Sequence, residues 1–281
     1  MLSNFFNDRK VAIATMHKKE VVIASLLKQQ LLLDSYVVKI NTDVFGTFSG
    51  EIKRILTPVD ALKEKCFLAI KNSNCDLVVA SEGSFGPHPE LFFLTANEEL
   101  VMLFDEKNQD YFIGKHLTTQ TNFGAMEVKS VDELLRFAYH HGFPSHGLIL
   151  KDKNENFSVC YKGIRDKNNL IQCFEKLLRA NEKVVVETDM RAMMNPTRLK
   201  SIAKATQNLI EKIKHTCPQC NYPGFDVAEV KKGLPCEECG MPTKSILLLV
   251  YQCKKCTHST IKMYPKDKQV EIAMYCDWCN P

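Results

Sequence analysis

The 281-residue sequence has no apolar run approaching the roughly 20 residues that a membrane-spanning helix needs. That excludes a helical membrane protein, and no membrane partner is expected. Residues 1–10 are polar and aromatic, without the charged-then-apolar order of a secretion signal, so the expected location is the cytoplasm. Neither sign of charge dominates. Thirty-seven Lys and Arg stand against 33 Asp and Glu, a net +4, so composition alone does not demand a nucleic-acid partner. There is no low-complexity tract. Also missing are a Walker A loop, a three-glycine dinucleotide fingerprint and a Gly-x-Ser-x-Gly elbow. The commonest phosphate-loop, dinucleotide and serine-hydrolase readings fall with them.

What the sequence has is cysteine. Eight of the twelve form four Cys-x-x-Cys turns: Cys217/Cys220, Cys236/Cys239, Cys253/Cys256 and Cys276/Cys279. Each such turn offers two thiolates to one ion, and two turns complete the tetrahedral four-sulfur shell that Zn²⁺ prefers. Four turns therefore suit two structural Zn²⁺ ions with no coordination position left open. In a reducing compartment metal ligation is favoured over disulfides. Fifteen, thirteen and nineteen residues separate successive pairs. The outer two gaps match the familiar zinc spacing, so sequential pairing is the favoured arrangement. It would join Cys217, Cys220, Cys236 and Cys239 on one ion and Cys253, Cys256, Cys276 and Cys279 on the other. A cross-braced arrangement is the alternative that spacing leaves open. His215 and His258 flank the ligands and read as bystanders. Cys66, Cys75, Cys160 and Cys173 read as structural thiols.

Residues 1–194 alternate short β-rich runs with helical periodicity, as in an α/β fold. Strands are predicted at 11–14, 36–40, 77–80, 100–104, 111–119, 147–151, 157–162 and 183–187. Helices are predicted from about Lys19, over 60–71, from Ser130 to His141 and over 168–179. The expected fold class is a mixed-sheet sandwich over 1–194, a connecting helix over 195–215 that starts at Asn195-Pro196, and a small double zinc ribbon over 216–281. Ribbon strands are predicted at 245–251, 257–264 and 269–275.

Four loops follow predicted strands and carry dense polar chemistry. Thr15 to Glu20 contains His17 and Lys18. Thr42 to Glu51 contains Asp43 and runs on toward Arg54. Ser81 to Pro89 contains Glu82 and His88. The last runs from Glu187 through Asp189 and Arg191 to Asn195 and Arg198. Ligands of open α/β sheets bind at the carboxyl ends of strands. The candidate site residues are accordingly His17, Lys18, Asp43, Glu82, His88, Glu187, Asp189 and Arg191. The cations suit a small anionic, phosphate-like ligand. The carboxylates suit acid–base work or an additional Mg²⁺. Each residue also has an ordinary role open to it, in turns, caps or surface ion pairs.

The competing reading places function in the ribbon, as a module that binds nucleic acid or a partner protein. There Tyr222, Phe225, Tyr264 and Trp278, read as exposed, stand among Lys254, Lys255, Lys262, Lys266 and Lys268. Glu237, Glu238, Asp267, Glu271 and Asp277 dilute that charge. Absence of nucleic-acid binding at low salt would remove the nucleic-acid version.

Several motifs together resemble an uncharacterised bacterial family known as a domain of unknown function. They are Thr42-Asp43-Val44-Phe45-Gly46-Thr47-Phe48, the run from Ser81 to Pro89, Glu187-Thr188-Asp189-Met190-Arg191, Asn195-Pro196-Thr197-Arg198 and Gly233-Leu234-Pro235-Cys236. The resemblance implies that the α/β part and the cysteine tail belong to one protein type. It implies no reaction and no catalytic residue. Met193-Met194 departs from it, where a histidine beside Asn195 would be expected.

Overall fold

The computed structural model describes residues 5–6, 9–46, 55–152 and 159–281. Thr47 to Gly50, Glu51 and Arg54, named above, lie outside them. The chain divides into two compact units, Asp8–Ile210 and Glu211–Pro281, the second joined by the extreme N-terminus.

The larger unit is mixed α/β and contains two sheets. The first has the order β2-β1-β3-β4-β5. Its strands are β1 (Val11–Ala14), β2 (Ser35–Val38), β3 (Leu77–Pro87), β4 (Thr95–Asp105) and β5 (Asp110–Thr118). β1 pairs in parallel with both β2 and β3, and β3, β4 and β5 form antiparallel hairpins. The run Val-Ala-Ile-Ala of β1 is buried at all four positions, as a central parallel strand covered on both faces should be. Helix α1 (Glu20–Leu31) connects β1 to β2, and α2 (Pro58–Lys71) connects β2 to β3. The two crossovers run in opposite directions along the sheet, so right-handedness sends the helices to opposite faces. Thr57 caps α2 by accepting from the Asp60 amide, and Pro58 stands where no amide is needed. Leu62, Cys66 and Ala69 of α2 pack against Ala12, Ala14, Val78, Ala80 and Met102. Each large apolar side chain so buried contributes about 1.5–3 kcal/mol.

The second sheet has the order β6-β9-β7-β8 and is antiparallel throughout. It comprises β6 (Ala125–Val128), β7 (Leu148–Lys151), β8 (Cys160–Ile164) and β9 (Val184–Thr188). Helices α3 (Val131–His140) and α4 (Lys167–Leu178) contribute Leu134, Phe137, Leu170 and Phe174 to one core with Leu148, Leu150, Val184 and Val186. Ser130 caps α3, and Gly142 ends it in the left-handed region at φ 88°.

Helix α5 (Pro196–Lys214) begins with the Asn195 side chain accepting from the Arg198 amide at 2.9 Å. It lies against β5 so closely that a Cβ on Gly114 would stand 2.2 Å from the Ala205 carbonyl oxygen. The Lys115 amide donates to Asn208 at 3.0 Å.

The smaller unit holds a three-stranded antiparallel sheet of β10 (Asp226–Lys232), β11 (Ile246–Gln252) and β12 (Ser259–Met263). Two expectations are corrected here. The first strand of this unit is Asp226–Lys232, which its mixed polar sequence hid. Residues 269–275, expected to be a strand, instead form one bridge at Glu271 and a short helical turn, Ala273–Tyr275.

Candidate functional site

Two places concentrate chemistry, one in each unit. In the smaller unit the four cysteine turns gather into two tetrads. Cys217, Cys220, Cys253 and Cys256 form one, and Cys236, Cys239, Cys276 and Cys279 form the other, with the ligand atoms of each within 4.8 Å of one another. This overturns sequential pairing. β10 carries the chain from the first turn to the second, β11 carries it back to the third, and β12 leads away again. Asp226 stands opposite Gln252 at one end of the hairpin and Lys232 opposite Ile246 at the other. One strand between consecutive turns places them at opposite ends, so the first turn meets the third and the second meets the fourth.

The sulfur atoms fit a metal. Cys217 and Cys256 lie 3.7 Å apart, Cys220 and Cys253 3.6 Å, Cys236 and Cys279 3.9 Å, and Cys239 and Cys276 3.6 Å. A tetrahedron with metal–sulfur bonds of about 2.3 Å has edges of about 3.8 Å. The residue after the second cysteine is left-handed in three turns: Asn221 at φ 58°, Gly240 at 70° and Thr257 at 60°. That conformation lets its amide bond back to the first cysteine's carbonyl in all three. Amides of Cys279 and Trp278 help bring the Cys276 thiol down to about 7, whereas neighbouring thiols and burial push Cys279 up to about 12. Four thiols this close resist full ionisation unless a cation shares the site. Each tetrad can hold one metal ion.

His215 and His258 are not ligands. Both rings pack against Phe225, at 5.6 and 6.0 Å. Tyr222 and Phe225, expected on the surface, are buried, and Tyr222 stacks edge-on with Phe5. Trp278 is exposed, but Lys268 pairs with Glu271 and Lys244 with Asp277, which reduces the free positive charge.

In the larger unit a group of charges collects where β1 stops. β1 ends at Ala14, opposite Ala80, while β3 runs on through Ser81, Glu82 and Gly83. The strand order reverses between β1 and β3, the switch point where α/β sheets form a crevice. Glu82 faces α2 and binds the Lys65 ammonium, which also donates to the Ser81 carbonyl at 3.3 Å. On the opposite face Glu99 of β4 stands across from Gly83. Glu99 accepts from Arg198 Nε at 2.7 Å and from Asn97 at 3.1 Å. Arg198 also donates to the Met190 carbonyl and lies 5.4 Å over the Phe85 ring. Gly83 makes this packing possible, because a Cβ there would come within 2.5 Å of both Arg198 and Glu99.

Lys19 completes the group. It belongs to the turn after β1, whose residues His17 and Lys18 both take left-handed backbone, at φ 68° and 61°. Its residue is only 7% exposed, and its ammonium has no hydrogen-bond partner among the described residues. Burial, then the positive charges of Arg198 and Lys65, bring it down to about 7, against the opposing pull of Glu99 and Glu82. Groups on both faces of the sheet thus act on one amine. The Glu99 and Arg198 side chains are fully buried, while Lys65 and Glu82 keep 7% and 11% exposure.

Of the other expected residues, His17 is half-buried and Lys18 exposed beside Lys19. Asp43 opens a short helical turn, Asp43–Phe45, after β2. Ser81–Pro87, expected as a loop, is the paired continuation of β3. His88 lies beyond it and accepts from the Glu90 and Leu91 amides, as a turn cap does. Glu187 pairs with buried Lys151 at 2.7 Å, and Asp189 takes both nitrogens of Arg191's fork at 3.0 and 2.6 Å. Glu82, Glu187 and Asp189 therefore each have their own cation and are not gathered round one point. Lys19, Lys65 and Glu99 were not among the expected site residues. The legible signal for Lys65 was a charge on the apolar stripe of α2 between Leu62 and Ala69. For Glu99 it was an acid leading into the run Leu100–Phe104.

A groove of about 700 Å³ between β6 and α3 is walled by Glu127, Glu133 and His141 among others. Those polar groups are engaged, with Lys183, the Lys129 amide and the Asn122 carbonyl respectively.

Residues 65–281 match the model of a family described as a domain of unknown function, DUF6671. The chain belongs to this family. The DUF6671 span contains Lys65, Glu82, Glu99, Arg198 and all eight paired cysteines, while Lys19 precedes it. No curated protein matches the chain.

Proposed function

We propose that the Asp8–Ile210 unit binds a small anion at Lys19 and that the cysteine unit is a structural module held by two Zn²⁺ ions. The observation that carries the first part is the charge count of the buried group. Three cations, Lys19, Lys65 and Arg198, face two carboxylates, Glu82 and Glu99. Among the described residues, Lys65 and Arg198 are matched by Glu82 and Glu99, and Lys19 is the one left over. A bound anion restores neutrality and gives its ammonium a partner. The N-terminus of α1, beginning at Glu20, supplies a favourable field at the same place. Buried ion pairs gain little over apolar residues of equal volume, so this much buried charge points to a role other than stability. Zinc is the reading for the tetrads because four sulfur ligands in closed tetrahedra match its structural sites.

The test is thermal unfolding of the metal-replete chain with inorganic phosphate or sulfate. At a hundred times the dissociation constant, binding stabilises by about 2.7 kcal/mol, which raises the midpoint by several degrees. The shift should vanish in Lys19→Met and persist in Lys18→Met. An equal shift in all three proteins would refute the site.

A further inference from the structure

The environment of Lys19 has a chemical consequence beyond holding an anion. A lysine built only to bind anions is best served by hydrogen bonds that keep it charged. Here the side chain has none among the described residues, lies in a buried position and is approached by two cations, Lys65 of α2 and Arg198 of α5. The acids facing it, Glu82 of β3 and Glu99 of β4, are themselves occupied by those same cations. Desolvation and a neighbouring cation are the two devices that make a lysine amine nucleophilic. The turn that presents it spends two consecutive left-handed residues, His17 and Lys18, to do so, and residues forced into such conformations cluster at functional sites. Cys66, the neighbour of Lys65 in α2, offers no rival nucleophile, since burial pushes its thiol up to about 12.

We infer that Lys19 is a covalent catalytic residue whose amine condenses with the carbonyl group of a small anionic aldehyde, ketone or 2-oxo acid. This inference rests on the anion-binding reading, with the substrate's carboxylate or phosphate as the anion. The Lys19 Nζ lone pair attacks the carbonyl carbon, and a proton moves from nitrogen to the former carbonyl oxygen, giving a carbinolamine. The hydroxyl leaves as water with one proton from solvent, and the nitrogen lone pair forms the C=N bond. The product is a protonated imine, whose positive charge takes the place of the ammonium beside Glu82, Glu99 and the substrate's own anion. No oxidant or reductant is consumed. The resulting cation is an electron sink for bond cleavage or proton loss at the adjacent carbon.

The experiment treats the metal-replete full chain with pyruvate, glyoxylate or glycolaldehyde phosphate under sodium cyanoborohydride and maps adducts by peptide mass spectrometry. The expected result is one reduced adduct, on Lys19, formed at least tenfold faster with one of the probes than on any surface lysine. It should be suppressed by sulfate, retained in Lys18→Met and absent from Lys19→Met. Mapping the wild-type chain decides the matter even where Lys19→Met folds poorly. Adducts spread over surface lysines without enrichment at Lys19, for all three probes, overturn the inference. If sulfate still stabilises the wild type through Lys19 in that case, the imine falls and the anion site stands. If sulfate has no such effect either, both fall.

Discussion

For single residues, what burial does to an amine decides most. Lys19 sits near 7 in the folded chain, against 10.5 for an ordinary lysine. Between those two values the unfolded chain binds the extra proton and the folded chain does not, so stability attributable to this group rises with pH. Below about 7 both states are protonated, and the folded chain carries the full cost of a buried ammonium, a few kcal/mol at about 1.4 kcal/mol per unit. Lys19→Met should therefore be more stable than wild type near pH 6. The advantage should shrink steadily as pH rises toward 9.5. Paired thermal melts of the two metal-replete proteins across that range check this, and a gap that stays constant or widens counts against a buried neutral amine. Charged residues inside apolar patterns were the legible part of this site. Glu82 stood out because it followed a short apolar strand. Lys19 did not, because its burial depends on β3 outrunning β1, which no local pattern records.

At the scale of elements, the sequence showed helices better than strands. The helix starts at Ser130 and at Asn195-Pro196 both read correctly, because capping is local chemistry. β10 was missed because Asp226–Lys232 is mostly exposed and so shows no in–out alternation. Missing it led directly to the wrong cysteine pairing, since without that strand the first two turns read as neighbours. The cross-braced arrangement is open to a simple count. Full-length Cys217→Ser/Cys253→Ser removes two ligands from one tetrad and should retain about one tightly bound ion per chain. Full-length Cys217→Ser/Cys236→Ser strikes both tetrads and should retain almost none. Elemental analysis after desalting gives the answer, and sequential pairing requires the two results to be exchanged.

At the scale of the whole molecule, a mixed α/β unit with a buried charge group is joined to a unit whose small sheet ends in two sulfur tetrads. β12 is exposed throughout, and the three short strands of that unit offer little apolar surface for a core. Bound metal would provide most of its folding energy, roughly 10 kcal/mol or more for comparable peptides. The α/β unit needs no such help, having two cores of its own. The claim on which the rest depends is that the larger unit has a place for an anion beside a buried amine that holds its proton more tightly once the anion is bound. Calorimetric titration of the full chain with sulfate, in buffers of differing ionisation enthalpy at pH 7 to 8.5, measures this directly. Sulfate takes up no proton of its own in that range. Proton uptake should climb toward about one per bound sulfate as pH rises past the Lys19 value, and should be absent in Lys19→Met. Sulfate that binds without proton uptake at any pH, or that fails to bind, would contradict it.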